Sequence, residues 1–367
     1  MSTETEVDLR RRRLLQVCAL TATPASLAET PVGRPEPLAR AVETIDLSWH
    51  DSARDRTLPL RVRLPAQGAA PRDDLLPVVL FSHGLGGSRT GGAAWGRAWA
   101  AQGYAVLHIQ HPGSDETVWH ASPGTAGTPR ERLFRLRAAA DRTQARARIE
   151  DVRFVIDEIA RRAGARPLEW TGRLDPQRIA MTGHSFGART TMGLAGERMP
   201  WIGYWGQRER RLRAFVAFSP ASPLMPPGLD APMPAPLADH YAGVTGPLLA
   251  ITGGLDGDIL GTGATPENRA GVFDRLPAGD KYMAIFAEGD HGVFGGGPLA
   301  DQRWLQRLAA QPADVTPPDV WEAIQQATAR LTLAFLDAYL RGDDAARAWL
   351  QSPAPSALYA SLTWRFK

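Results

Sequence analysis

The sequence predicts an α/β fold: a mostly parallel central sheet with helices on both faces. Three observations carry that expectation. Short apolar runs near residues 77–81, 104–109, 178–182, 214–218, 247–252 and 282–287 have strand length and, in the clearest cases, no polar alternation. That pattern suits strands buried on both faces. Helical patterns separate several of these runs, and strand–helix alternation implies parallel strands joined by crossovers. The chain has 367 residues, 44% of them hydrophobic, enough for one large core.

Residues 42–49 and 58–64 alternate apolar and polar around a polar turn near 51–56, and read as an antiparallel hairpin. The run 77–81 is continuous and ends in Ser82-His83-Gly84-Leu85-Gly86-Gly87, a glycine-rich loop at a strand's carboxyl end. A helix over 93–102 is stopped by Gly103, and the strand 104–109 follows. Residues 111–130 are rich in Pro, Gly, Ser and Thr and read as a long loop. From Thr143, Ile149, Val152, Val155, Ile156 and Ile159 fall on one face of a helix that ends near Gly164. A short strand at 178–182 leads into a helix over 185–196, and a helix near 320–340 closes the core. The proline-rich stretch 220–236 has no period, and the chain carries no internal repeat. The expected organisation is a signal segment over 1–28, a linker over 29–41 and a single catalytic domain over 42–367. Loop or lid insertions are expected at about 111–140, 220–246 and 294–318.

Net charge is only +3, and of the 42 basic residues only Lys281 and Lys367 are lysine. The arginines are scattered among acidic residues with no basic stripe interleaved with aromatics, which argues against nucleic-acid binding. Cys18 is the only cysteine, so neither an intrachain disulfide nor a thiolate metal site can form. The eight histidines lack metal-ligand spacing, and no cofactor is implied. At the N-terminus, Arg10–Arg13 precede a short apolar run, and Ser26-Leu27-Ala28 resembles a cleavage site. The pattern resembles a twin-arginine signal and implies a periplasmic or secreted protein, the alternative being a basic tail on a cytoplasmic one. No later stretch is long and apolar enough to span a bilayer.

Gly183-His184-Ser185-Phe186-Gly187 fits G-x-S-x-G between a predicted strand and a predicted helix. That context turns the chain sharply, exposes the Ser185 hydroxyl and places it at the positive end of a helix. A serine hydroxyl becomes nucleophilic when an imidazole held by a carboxylate removes its proton. His291, in the loop after the last predicted strand, is the expected base; His83 and His184 lie too close to their own turns and are expected to support loops. Asp256, just past the strand at 247–252, is the expected acid, with Asp258 the alternative. The order Ser185, Asp256, His291 is the one this strand–turn–helix arrangement uses. Asp290 neighbours the base in sequence but is expected to serve only a loop hydrogen bond. Two backbone N–H groups must face the oxyanion of the tetrahedral intermediate, and Phe186 and Leu85 are expected to supply them. Trp119, Phe186, Trp201, Trp205 and Phe294 could line an apolar pocket, or could equally be core.

The motif 81–89 (Phe-Ser-His-Gly-Leu-Gly-Gly-Ser-Arg), then Gly103-Tyr104-Ala105-Val106, His111 and 183–187, resembles a known family. Its members are the plasma-type platelet-activating-factor acetylhydrolases and bacterial dienelactone-hydrolase-like esterases. The resemblance covers roughly residues 45–340. It implies an α/β-hydrolase fold, no cofactor, and cleavage of small-molecule or lipid-like carboxylic esters with short or modest acyl groups. It would place the nucleophile on Ser185, the base on His291 and the oxyanion donors on Leu85 and Phe186. Two features depart from the family. The animal acetylhydrolases carry the acid after the strand that follows the nucleophile helix, where this chain reads Ala217-Phe218-Ser219-Pro220. Dienelactone hydrolases proper use a cysteine nucleophile, absent here. The expected function is a serine carboxylic-ester hydrolase for short-chain or small aromatic esters. Phospholipid-like acetyl esters and polyesters are alternative substrates, the same triad could cleave amides or transfer acyl groups, and the contrasting class is a non-catalytic binding protein of this fold.

Overall fold

The computed structural model describes residues 41–66, 75–120, 128–163, 170–199, 203–222, 239–258, 264–299 and 315–367. The expected signal segment and all of the linker but residue 41 lie outside them, as does most of the stretch 220–236.

The alternating hairpin forms β1 (Val42–Asp51) and β2 (Arg56–Pro65), antiparallel, with Trp49 opposite Leu58. β3 (Leu76–Ser82) is buried at every position, and α1 (Ala93–Ala101) returns the chain to β4 (Ala105–Ile109), also wholly buried. Two helices follow: α2 (Pro129–Ala138) and α3 (Arg142–Arg162). β5 (Leu174–His184) then leads through Ser185 into α4 (Phe186–Ala195). A small ribbon pairs β6 (Arg198–Met199) with β7 (Tyr204–Trp205). β8 (Leu212–Phe218), β9 (Leu248–Leu255), α5 (Pro266–Arg275) and β10 (Lys281–Asp290) continue the alternation. α6 (Pro318–Leu336) ends in a π-turn over Asp337–Arg341, and α7 (Asp344–Leu350) and β11 (Leu362–Phe366) complete the chain.

Among the described residues the main sheet has the order β1-β2-β4-β3-β5-β8-β9-β10-β11, parallel from β4 to β10, with antiparallel strands at both edges. The twofold period of each strand divides its residues between two cores. Val78 and Leu80 face Ile149, Val152 and Ile156 of α3, while Val79 and Phe81 face Trp95 and Trp99 of α1 and Phe335 of α6. From β3 the chain steps to β4 on one side and then to β5 on the other. Parallel pairing brings the carboxyl ends of β3, β5, β8, β9 and β10 to one edge, and the reversal marks the point on it where open α/β sheets bind ligands.

α2 lies where the sequence reads as loop. Only Leu136 along it is buried, so it lacks the apolar stripe that marks a helix. Its capping box is nonetheless complete: the Thr128 hydroxyl accepts the Glu131 N–H, and the Glu131 carboxylate accepts the Thr128 N–H. No helix of the described residues is long and apolar enough to cross a membrane.

Candidate active site

β5 delivers Ser185 in a strained conformation, φ 57° and ψ −113°, at the N-cap of α4. Only glycine fits on either side. A Cβ on Gly183 would lie 2.4 Å from the Gly187 carbonyl oxygen, and one on Gly187 would lie 1.9 Å from the Ser82 carbonyl oxygen. The Ser185 N–H donates to the Phe218 carbonyl at 3.0 Å, tying the turn to the end of β8. Strain held in this way keeps the hydroxyl out of the helix and at the sheet's edge.

His291 follows β10 directly. Its Nδ1 lies 2.7 Å from Asp256 Oδ1, and its side chain is 11% exposed while that of Asp256 is fully buried. Asp256 follows β9, accepting the Thr252 hydroxyl on Oδ2 at 2.8 Å. Arg269 of α5 completes its surroundings: Nε is 2.9 Å from Asp256 Oδ1 and from the Asp256 carbonyl, and Nη1 donates to the Ser219 carbonyl at 2.8 Å. Burial acts to raise the Asp256 carboxyl, but Arg269 and His291 together outweigh it and hold it well below the usual carboxylate range. With that charge as acceptor, His291 carries its proton on Nδ1 and leaves Nε2 as the basic nitrogen.

His184 supports His291 from behind. Their rings are 4.7 Å apart, and His184 Nε2–H donates to the His291 carbonyl at 2.9 Å. Burial, and then the neighbouring His291 imidazole, push His184 down to about 3, so it stays neutral. Asp258 is half-buried two residues beyond Asp256, and it is Asp256 that occupies His291 Nδ1. Asp290 closes its own loop, accepting N–H groups from Val293 and Thr316 at 2.9 Å each.

The glycine-rich loop packs against the serine turn: a Cβ on Gly84 would lie 3.5 Å from Ser185 Cβ. The Gly84 carbonyl accepts His83 Nδ1–H at 2.6 Å and Gly87 N–H at 3.0 Å. In a trans peptide the N–H points opposite to the carbonyl, so these two bonds orient the Leu85 N–H as well. Among the described residues neither the Leu85 nor the Phe186 N–H has an acceptor. Gly86 N–H donates to the Ser114 carbonyl at 2.9 Å, and Trp119 lies over the loop with Nε1–H on the Gly86 carbonyl at 2.6 Å.

Beneath the loop lies a polar cluster that sequence reasoning missed. Arg148 is fully buried, donating Nη1–H to the His83 carbonyl at 2.7 Å and Nε–H to the Ser114 hydroxyl at 2.8 Å. Burial presses its guanidinium down to about 9, opposed by the Asp151 and Asp115 carboxylates. His111 Nδ1 is 3.0 Å from Asp151 Oδ2, and its Nε2 is 2.9 Å from Ser82 Oγ. Asp151 also takes Arg54 and Arg56 at 2.9 and 2.8 Å. A signal was present: Arg148 falls in the buried series Ala145, Arg148, Ile149, Val152, a charged residue on an apolar helix stripe. Arg269 carries a weaker form of the same mark, sharing one face of its helix with Val272 and Phe273.

The pocket expectations divide. Trp119 and Phe186 are both half-buried, Trp119 lying on the glycine-rich loop and the Phe186 ring packing against the buried Arg148 and the core. Phe294 is instead core: fully buried, its ring 6.0 Å from that of Phe286 and its carbonyl bonded by Trp95 Nε1–H at 3.1 Å. It follows a short turn after His291 that folds inward rather than toward the mouth. Trp201 and the Trp205 side chain lie outside the described residues. Among the described residues no group of His, Cys, Asp and Glu could hold a metal ion.

Residues 57–163 match the family model for platelet-activating factor acetylhydrolase, isoform II. The match runs from β2 through α3, so it includes the glycine-rich loop, Arg148 and Asp151 but ends before Ser185. A ferulic acid esterase from Streptomyces cinnamoneus has a similar structure, with 21% identity and a TM-score of 0.54, covering 91% of this chain and 98% of that one. No curated protein matches the sequence. The chain has the α/β-hydrolase fold.

Proposed function

We propose that this chain is a serine carboxylic-ester hydrolase acting through Ser185, His291 and Asp256 by way of an acyl-enzyme. The observation that carries the reading is the 2.7 Å contact between His291 Nδ1 and the buried Asp256, with His291 tied by a 2.9 Å hydrogen bond to His184, the residue before a serine held at φ 57°. Asp256 fixes the tautomer and steadies the imidazolium that forms. His291 Nε2 takes the Ser185 proton as Oγ attacks the ester carbonyl, and the resulting oxyanion is met by the N–H groups of Leu85 and Phe186. Nε2–H then protonates the leaving alcohol oxygen and the ester C–O bond breaks. A water molecule repeats the sequence on the acyl-enzyme, with His291 again as base, and frees the acid.

Short acyl esters are the proposed substrate class, with Trp119, half-buried on the glycine-rich loop, as support for small aromatic ones. The match of residues 57–163 to an acetylhydrolase family favours acetyl esters within that class. Labelling by a fluorophosphonate probe tests the reading. Wild type is expected to label and Ser185→Ala to be inert toward both the probe and p-nitrophenyl acetate. Absent labelling of wild type, or equal labelling of Ser185→Ala, would overturn it. Initial rates on an ester panel varying acyl length and alcohol size then define the preferred substrate.

A further inference from the structure

We infer that Arg148 is a positioning residue that sets both oxyanion donors of the proposed ester hydrolysis, and the inference rests on that proposed function. A buried guanidinium ordinarily sits against a carboxylate. Among the described residues Arg148 has no carboxylate within ion-pair distance, although it is fully buried. Its donors go instead to backbone and hydroxyl oxygens that bracket the glycine-rich loop. Nη1–H meets the His83 carbonyl at 2.7 Å, Nη2–H the Ser114 carbonyl at 3.2 Å, and Nε–H the Ser114 hydroxyl at 2.8 Å.

Each of these contacts is one bond from the donor loop. His83 precedes Gly84, and its ring holds the Gly84 carbonyl whose peptide carries the Leu85 N–H. The Ser114 carbonyl is shared with the Gly86 N–H on the other side of Leu85. The guanidinium also lies over the Phe186 ring, 4.5 Å from its centroid, so the residue bearing the second donor packs on the same group. A planar fork fixes two carbonyls at a set separation, which a single ammonium cannot do. One side chain thus holds the register between β3's loop and the start of α4, the two segments whose amides must converge on one oxygen atom.

The test compares wild type, Arg148→Lys, Arg148→Met and Ser114→Ala on p-nitrophenyl acetate, with inhibition by a trifluoromethyl ketone, whose hemiketal mimics the tetrahedral oxyanion. A displaced oxyanion donor lowers kcat by about 100-fold or more, and Arg148→Lys is expected to approach that, about 30- to 100-fold, with KM within about threefold. Its ketone affinity should weaken by the same factor as kcat/KM. Ser114→Ala removes the hydroxyl that accepts Nε–H and donates to the His111 carbonyl, and is expected to lower kcat by about fivefold, so the test stands if Arg148→Met fails to fold. A folded Arg148→Lys with wild-type kcat, or a lost kcat without a matching loss of ketone affinity, overturns the inference and leaves the hydrolase reading intact. A wild type that neither turns over ester nor labels with fluorophosphonate overturns the hydrolase reading, and this one with it.

Discussion

Replacing Asp256 by asparagine keeps the shape of the side chain and changes two things at once. The carboxylate oxygen 2.7 Å from His291 Nδ1 becomes part of a neutral amide, and Arg269, 2.9 Å away, loses its counter-charge. With no anion to accept from Nδ1, the imidazole adopts the tautomer with its proton on Nε2, the nitrogen that should receive the serine proton. A comparable change in other serine hydrolases removes about 10⁴ in kcat, which at 1.36 kcal/mol per decade is about 5 kcal/mol of transition-state stabilisation. The stranded Arg269 adds a separate effect on folding, about 3–5 kcal/mol for a buried charge that has lost its partner. The two effects are separable. kcat on p-nitrophenyl acetate, normalised to folded protein by near-UV circular dichroism, reads the first; urea unfolding reads the second. The double variant Asp256→Asn/Arg269→Met should recover part of the stability and none of the activity. Asp258→Asn is expected to stay within about threefold of wild type, as a surface-type substitution outside the relay does. If Asp256→Asn keeps kcat within tenfold, or if Asp258→Asn shows the large loss instead, the assignment of the acid is wrong.

Acid should destabilise the fold through its buried histidines. His111 and His184 are held at about 4 and about 3 by burial, against an ordinary 6.5. Below pH 6.5 the unfolded chain therefore binds protons that the native state refuses, and stability falls as pH falls, by about 1.4 kcal/mol per pH unit for each histidine until its folded value is reached. A urea midpoint that stays constant from pH 6.5 to 5 would contradict this. Phe294→Ala should cost about 3–5 kcal/mol of stability by leaving a core cavity, while the ratio of rates on acetyl and hexanoyl esters stays as in wild type; a changed ratio in stable protein would return Phe294 to the pocket. Trp119→Phe deletes the N–H on the Gly86 carbonyl and is expected to lower kcat about fivefold, the value of about 1 kcal/mol for one hydrogen bond. Unchanged steady-state kinetics would show that the loop holds its shape without it.

The central sheet was legible because its strands are buried on both faces, and continuous apolar runs such as 77–81 and 214–218 have few alternative readings. Strand ends were less so. β5 begins at Leu174, not 178, since Asp175 and Gln177 break the apolar run while the backbone still pairs with β3. α2, α5, α7 and β11 escaped because they are short and bury few residues each, leaving little apolar pattern to read. Of the candidate site, Ser185, Asp256 and His291 were singled out through their places after three strands, and the structure brings His291 and Asp256 together. Arg269 was less legible: it reaches Asp256 from 13 residues along the chain, and its only mark is its spacing with Val272 and Phe273 on a short helix. Phe294 stayed open between pocket and core because proximity to His291 in sequence does not decide which way the following turn folds; the structure places it in the core.

The chain holds two constellations of serine, histidine and aspartate, and their contrast indicates what makes one of them reactive. Ser82 Oγ lies 2.9 Å from His111 Nε2, and His111 Nδ1 lies 3.0 Å from Asp151, a relay as well formed as the His291–Asp256 pair. All three of its members are fully buried, and Ser82 ends a regular strand with no helix N-terminus behind it. A carbonyl substrate needs its reacting carbon about 3–3.5 Å from the attacking oxygen, and the fully buried Ser82 gives it no way in. Asp151 is also bound by two arginines, and His111 is pushed down to about 4 by burial and then by Arg148, so it is poorly placed to accept a proton. Ser185 differs in each respect: it is half-buried, it caps a helix, and its neighbour histidine keeps an exposed edge. Hydrogen-bond geometry alone therefore does not identify a nucleophile. What separates the two is access for a carbonyl together with amides turned to receive the charge, and the closed relay lies directly beneath the loop that carries one of those amides.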